Sequence, residues 1–135
     1  MNARTRLAAA LALLLAVVLA SSASAGPRRG WELIGERTVN DAVDHDTILV
    51  TRAEGTFRAI RIKVFERAVQ FRKVTIHFAN GADQEVELRN VIPAGGESRI
   101  IDVNGGDRVI RSIDFVYDAQ SVGGHKALVR VFGRN

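Results

Sequence analysis

The sequence has no cysteine in 135 residues, which excludes disulfides, thiolate nucleophiles, zinc sites with thiolate ligands and cysteine-held iron–sulfur clusters. Whatever fold forms must rest on packing and backbone pairing. Proline is scarce as well, with two residues, and aromatic residues make up only 6% of the chain. Long apolar runs are limited to Leu7 to Ala20, so no other segment could span a bilayer as a helix. The length allows one domain but is too short for a doubly wound dinucleotide fold or an eightfold barrel of strands and helices.

The one apolar run lies between Arg4 and Arg6 on one side and the small-residue segment Ala23-Ser24-Ala25 on the other. Those are the three regions of a cleavable signal peptide, and its 14 residues would make a helix of only about 21 Å. Cleavage after Ala25 is expected, leaving a mature chain from Gly26 that is periplasmic or secreted, with no stable membrane insertion. Removing residues 1–25 leaves 17 basic and 15 acidic residues, a net charge of +2 in place of +4. So small an excess argues against nucleic acid as the partner.

Leucine is the next shortage. Residues 26–135 contain 4 Leu and no Met, against 24 Val and Ile. Branching at Cβ favours the pleated sheet, and the pattern agrees. Ile60, Ile62 and Val64 alternate with Arg61, Lys63 and Phe65, and Val74, Ile76 and Phe78 alternate with Lys73, Thr75 and His77. Ile113, Phe115 and Tyr117 share a face, as do Ala127, Val129 and Val131. Strands are predicted over 32–39, 47–51, 57–66, 71–79, 85–89, 98–103, 109–117 and 126–132, with turns near Ala53-Glu54-Gly55, Asn80-Gly81, Pro93 to Gly96 and Asn104-Gly105-Gly106. Segments 40–46 and 118–124 are too short for more than a turn or two of helix. About eight strands with one apolar side each predict an all-β, antiparallel β-sandwich filling residues 26–135, with a small closed barrel as the alternative. Trp31, the only tryptophan, is expected to help close the core between the first and last strands.

The stretches WELIGERTVNDAVDHDTILV, GTFRAIRIKV, VTIHFANG and GGESRIIDVNGGDRVIRSIDFVYDAQ together resemble an uncharacterised bacterial family of small exported proteins, domain of unknown function 2541. The most distinctive part is Gly95 to Tyr117. The resemblance implies an exported, β-rich domain and carries no catalytic residues with it.

Site chemistry is sparse. Asp41, Asp44 and Asp46 could share a calcium ion but lack the spacing of a calcium loop, so a charged turn is the better reading. His45, His77 and His125 lack the local spacing of a zinc site. No G-x-S-x-G elbow is present, Glu85 and Glu87 are ordinary neighbours on one strand face, and the Gly pairs lack the lysine and following helix of a phosphate loop. No cofactor or metal is implied. The strongest cluster is basic: Arg58, Arg61, Lys63, Arg67, Arg72 and Lys73, with only Glu66 among them. If the strands bearing them pair, Arg61 and Lys63 share an exposed face with Lys73 and His77. The blander reading is a solvated charged face on which Glu85 and Glu87 pair with the cations across the sheet; the functional one is a site for an anionic partner such as a polysaccharide, a lipid headgroup or an acidic protein. The leading expectation is a noncatalytic exported domain that binds a cell-envelope component or a protein. A structural envelope module without a small-ligand site comes next, and a hydrolase whose residues the sequence does not display is third.

Overall fold

A computed structural model describes residues 30–50 and 55–135. Residues 1–25, expected to be a signal peptide, and the predicted turn residues Ala53 and Glu54 lie outside the described residues. Eight strands follow in order: β1 (Trp31–Val39), β2 (His45–Leu49), β3 (Ala59–Phe65), β4 (Val69–Phe78), β5 (Asp83–Ile92), β6 (Ile101–Asp102), β7 (Ile110–Asp118) and β8 (Ala127–Arg134), with a 3-10 turn at Ala119–Ser121. They form two antiparallel sheets of four, sheet A in the order β1-β8-β3-β6 and sheet B in the order β2-β7-β4-β5. The fold is a β-sandwich; neither sheet closes on itself, so the barrel alternative falls.

Alternation explains the layers. Ile60, Ile62 and Val64 of β3 and Ala127, Val129 and Val131 of β8 turn inward from sheet A. Val74, Ile76 and Phe78 of β4 and Ile113, Phe115 and Tyr117 of β7 meet them from sheet B. Each of these side chains is at most 4% exposed, so the apolar sides of both sheets form one core. Phe115 is central to it, with its ring centroid 5.9 Å from Phe71 and 5.8 Å from Tyr117. The Tyr117 hydroxyl donates to Asp46 Oδ2 at 3.0 Å, and Arg37 Nε donates to Oδ1 of the same carboxylate at 3.0 Å. Asp46 therefore joins β1 of sheet A to β2 and β7 of sheet B. Burial, and then the Asp46 carboxylate, push the Tyr117 phenol above its ordinary value.

Three expectations need correction. The strand predicted over 98–103 shrinks to Ile101–Asp102, because Ser98 is occupied by irregular contacts with β3. Its backbone N–H donates to Ile62 O at 2.7 Å, and its hydroxyl accepts from Ile62 N at 2.9 Å. Second, β3 and β4 do not pair. Glu66 takes φ of +77° in the three-residue link between them, and the chain crosses from sheet A to sheet B instead of forming a hairpin. Third, β1 and β8 are neighbours as expected, yet Trp31 is outside the core. It stands opposite Arg134 on the outer side of sheet A and is half-buried. A bulge between Leu33 and Gly35 then lets Ile34 turn inward. Gly35 is required there, since a Cβ would run into Ile48 Cγ2 and come within 2.8 Å of Leu49 O on β2.

Candidate functional site

The crossing between β3 and β4 divides the residues singled out by sequence between opposite sides of the sandwich. Arg61 and Lys63 stand on the outer face of sheet A; Lys73 and His77 stand on the outer face of sheet B. Four residues expected to act together therefore form two separate pairs.

On sheet B the two predicted residues are held by acids. Lys73 Nζ lies 2.8 Å from Glu85 Oε1, a contact that raises its pKa. His77 Nδ1 lies 2.6 Å from Asp83 Oδ1, and its Nε2 lies 2.7 Å from Asp114 Oδ2. Ionised carboxylates only accept, so both contacts are satisfied together by the imidazolium. The hydrogen bonds to Asp114 and then Asp83 accordingly raise the His77 pKa. Thr47 donates to the other Asp114 oxygen at 2.6 Å. Burial of Asp114 favours its neutral form, but the hydrogen bonds from Thr47 and His77 outweigh it and lower the pKa. With both ring nitrogens taken, His77 offers no free base to a nucleophile. A cleft of about 500 Å³ beside the bulge between Phe71 and Lys73 is lined by Arg72, Lys73, Glu87 and Arg89 among others. Lys73 is held by Glu85, and Arg89 by Glu87 at 3.5 Å, so these two cations of the cleft already face acids.

The outer face of sheet A is built differently. The inward row of β8 leaves Leu128, Arg130, Phe132 and Arg134 outside, next to Arg61, Lys63 and Phe65 of β3 and Trp31 and Leu33 of β1. Cations lie over the rings: Arg61 Cζ is 4.5 Å and Arg134 Cζ 4.8 Å from the Trp31 centroid. Lys63 Nζ is 5.2 Å from the Phe132 centroid, and Arg130 Cζ is 5.1 Å from that of Phe65. Two acids share this face. Glu36 accepts from Arg130 Nε at 2.9 Å, while Glu97 is divided between Arg61 Nη1 at 3.3 Å and Lys63 Nζ at 3.8 Å. Arg134 has no ion pair among the described residues, and Arg61 Nε is buried without a hydrogen-bond partner among them. Among the described residues of the face, four cations against two acids leave it positive.

Sequence reasoning missed Arg130, Phe132 and Arg134, although the alternation that identified the apolar row of β8 also fixes its outward row. Trp31 joins this outer face and not the core expected for it. The remaining candidates are dispersed: Asp46 is committed to Tyr117 and Arg37, whereas Asp44 is exposed beside His45. Among the described residues no cluster of three or more His, Asp or Glu is arranged to hold a metal ion. No described helix is long and apolar enough to cross a membrane.

The family model for a domain of unknown function, DUF2541, matches residues 9–133. The chain belongs to the DUF2541 family. A search of curated proteins found no match. Among solved structures the chain is similar to Pseudomonas aeruginosa AlgX, at 14% identity and a TM-score of 0.54, over 77% of this chain. It spans 26% of the length of that structure. At such identity the likeness concerns the fold alone.

Proposed function

We propose that this DUF2541 protein is a noncatalytic exported domain that binds an anionic component of the cell envelope through the outer face of sheet A. The observation that carries the reading is the excess of Arg61, Lys63, Arg130 and Arg134 over Glu36 and Glu97 on that face. Positive charge carried on a sheet attracts anions, and the paired backbone beneath it has no need to rearrange at binding. Export rests on the charged, apolar and small-residue regions before Gly26. The noncatalytic character is supported by the engagement of both His77 nitrogens with carboxylates.

Cosedimentation of the purified protein with envelope fractions tests this reading, with Lys73→Glu on the opposite face as the control. Arg61→Glu combined with Lys63→Glu is expected to abolish a salt-sensitive association that Lys73→Glu leaves in place. Retained association in the folded double variant rejects the site. Cell fractionation with N-terminal sequencing tests export, the expected first residue being Gly26.

A further inference from the structure

Resting on that reading, we infer that the outer face of sheet A is a track for a linear acidic polysaccharide, whose carboxylated sugars lie along the diagonal from Trp31 through Phe132 to Phe65. The strand registers set this diagonal. Trp31 on β1 stands opposite Arg134, Phe132 on β8 opposite both Leu33 and Arg61, and Phe65 on β3 opposite Leu128. With about 3.3 Å per residue and about 4.8 Å between strands, the three rings descend roughly 20 Å along the strands while stepping about 10 Å across them. Cations occur at every stage: Arg134 and Arg61 at Trp31, Lys63 at Phe132, and Arg130 at Phe65.

An acidic sugar has the two features that such a pattern recognises. The C–H face of a pyranose packs on an aromatic plane, and the carboxylate at its edge accepts the forked hydrogen bonds of a guanidinium. A linear polymer repeats both features, whereas a single small anion would use one stage and leave the others idle. The bulky exposed apolar residues Val43, Leu49, Val91, Ile100 and Val109 all fall outside β1, β3 and β8. On the face itself the described aliphatic residues, Leu33 and Leu128, are only partly exposed between the cations, so positive charge and rings dominate what it offers.

In the free protein the cations rest against the rings. Among the described residues Arg134 has no acid partner, and Arg61 has its Nε buried without an acceptor and its Nη1 sharing Glu97 with Lys63. Swinging Arg61 and Arg134 from Trp31 toward ligand carboxylates exchanges ring contacts for charge-assisted hydrogen bonds and opens the indole to a sugar.

Affinity electrophoresis of the full protein through gels containing polygalacturonate tests the inference, with neutral dextran, phosphatidylglycerol vesicles and oligothymidylate as alternative probes. Retardation by polygalacturonate and not by dextran is expected. Trp31→Ala and Phe132→Ala should each weaken it about tenfold, while Phe132→Tyr keeps it. Arg134→Gln, at an exposed strand end, should also weaken it and guards against misfolding of the ring variants. Absence of retardation by polygalacturonate, or tighter binding to the vesicles or the oligonucleotide, overturns the polysaccharide assignment. Folded ring variants that bind as the wild type overturn the track. If Arg61→Glu with Lys63→Glu still loses envelope association in either case, the anionic reading of the face survives.

Discussion

Lys73 on sheet B and Lys63 on sheet A are both outward lysines on interior strands, yet their surroundings differ. Lys73 contacts the Glu85 carboxylate at 2.8 Å, whereas Lys63 is 3.8 Å from an acid it shares with Arg61 and lies over the Phe132 ring. The same contrast extends across both faces. Sheet B places Asp83, Glu85 and Asp114 around Lys73 and His77, so charge is neutralised by hydrogen bonding along the surface. Sheet A covers three rings with four cations and supplies two acids for them. Lys73 and His77, hydrogen-bonded to their own acids, have little to offer an ion, while the cations placed on the rings of sheet A outnumber the acids beside them. The contrast is therefore one of partners as well as composition.

The largest change should erase the comparison altogether. Phe115 lies beneath sheet B, 1% exposed, and packs on Phe71 and Tyr117. Phe115→Ala is expected to cost about 3 to 5 kcal/mol in urea denaturation, a loss comparable with the stability of a marginal domain. Both faces would then fail together. Asp46→Ala should cost less, about 2 kcal/mol, by leaving the buried Tyr117 hydroxyl with only Asn40 O at 3.3 Å and by freeing Arg37. Urea denaturation of Asp46→Ala and Tyr117→Phe, alone and together, checks the coupling: the double variant should cost less than the sum of the single ones.

Trp31→Ala separates stability from binding on sheet A. A core tryptophan would cost about 3 to 5 kcal/mol, but a half-buried ring loses mainly its contacts with Arg61 and Arg134, worth about 0.5 to 1 kcal/mol each at exposed sites. A cost of about 1 to 2 kcal/mol is expected by chemical denaturation, well below that of Phe115→Ala. A value above about 3 kcal/mol would return Trp31 to the core.

The alternating segments were legible because side-chain parity is local. Val74, Ile76 and Phe78 must share one side of an extended chain whatever the partner strand. Pairing is not local, and a single link decides it here. Glu66-Arg67-Ala68 is as short as a hairpin loop, but Glu66 at φ of +77° directs the chain to the other sheet, and no residue type in the link announces it. That one crossing separates Arg61 and Lys63 from Lys73 and His77. The outward row of β8 was within reach of the same parity argument, whereas its meeting with Trp31 required the β1–β8 pairing. Ser98 belongs to the same class: its hydroxyl substitutes for a ladder partner of Ile62, a contact 36 residues away in sequence.

The smallest effect separates the two faces by pH. His77 has a pKa raised by Asp114 and Asp83, so the folded state holds the imidazolium more tightly than the unfolded state does. The stabilisation is fully present below the ordinary histidine value of about 6.5 and is lost as pH rises through the higher folded value. Asp114 acts at the other end: its lowered pKa contributes stability above the ordinary aspartate range of about 3.9, lost as pH falls through the folded value. Because Asp83 and Asp114 are roughly half exposed, solvent screening holds the histidine contribution to about 1 kcal/mol or less. Denaturation midpoints between about pH 6 and pH 9 should fall for the wild type and stay nearly level for His77→Gln, so that the two converge in alkali. The cations of sheet A contact Glu36 and Glu97 and neither His77 nor its two acids, so polygalacturonate binding should hold its strength while sheet B loses its charge pairing. Loss of binding in step with His77 deprotonation would instead couple the two faces through the core between them.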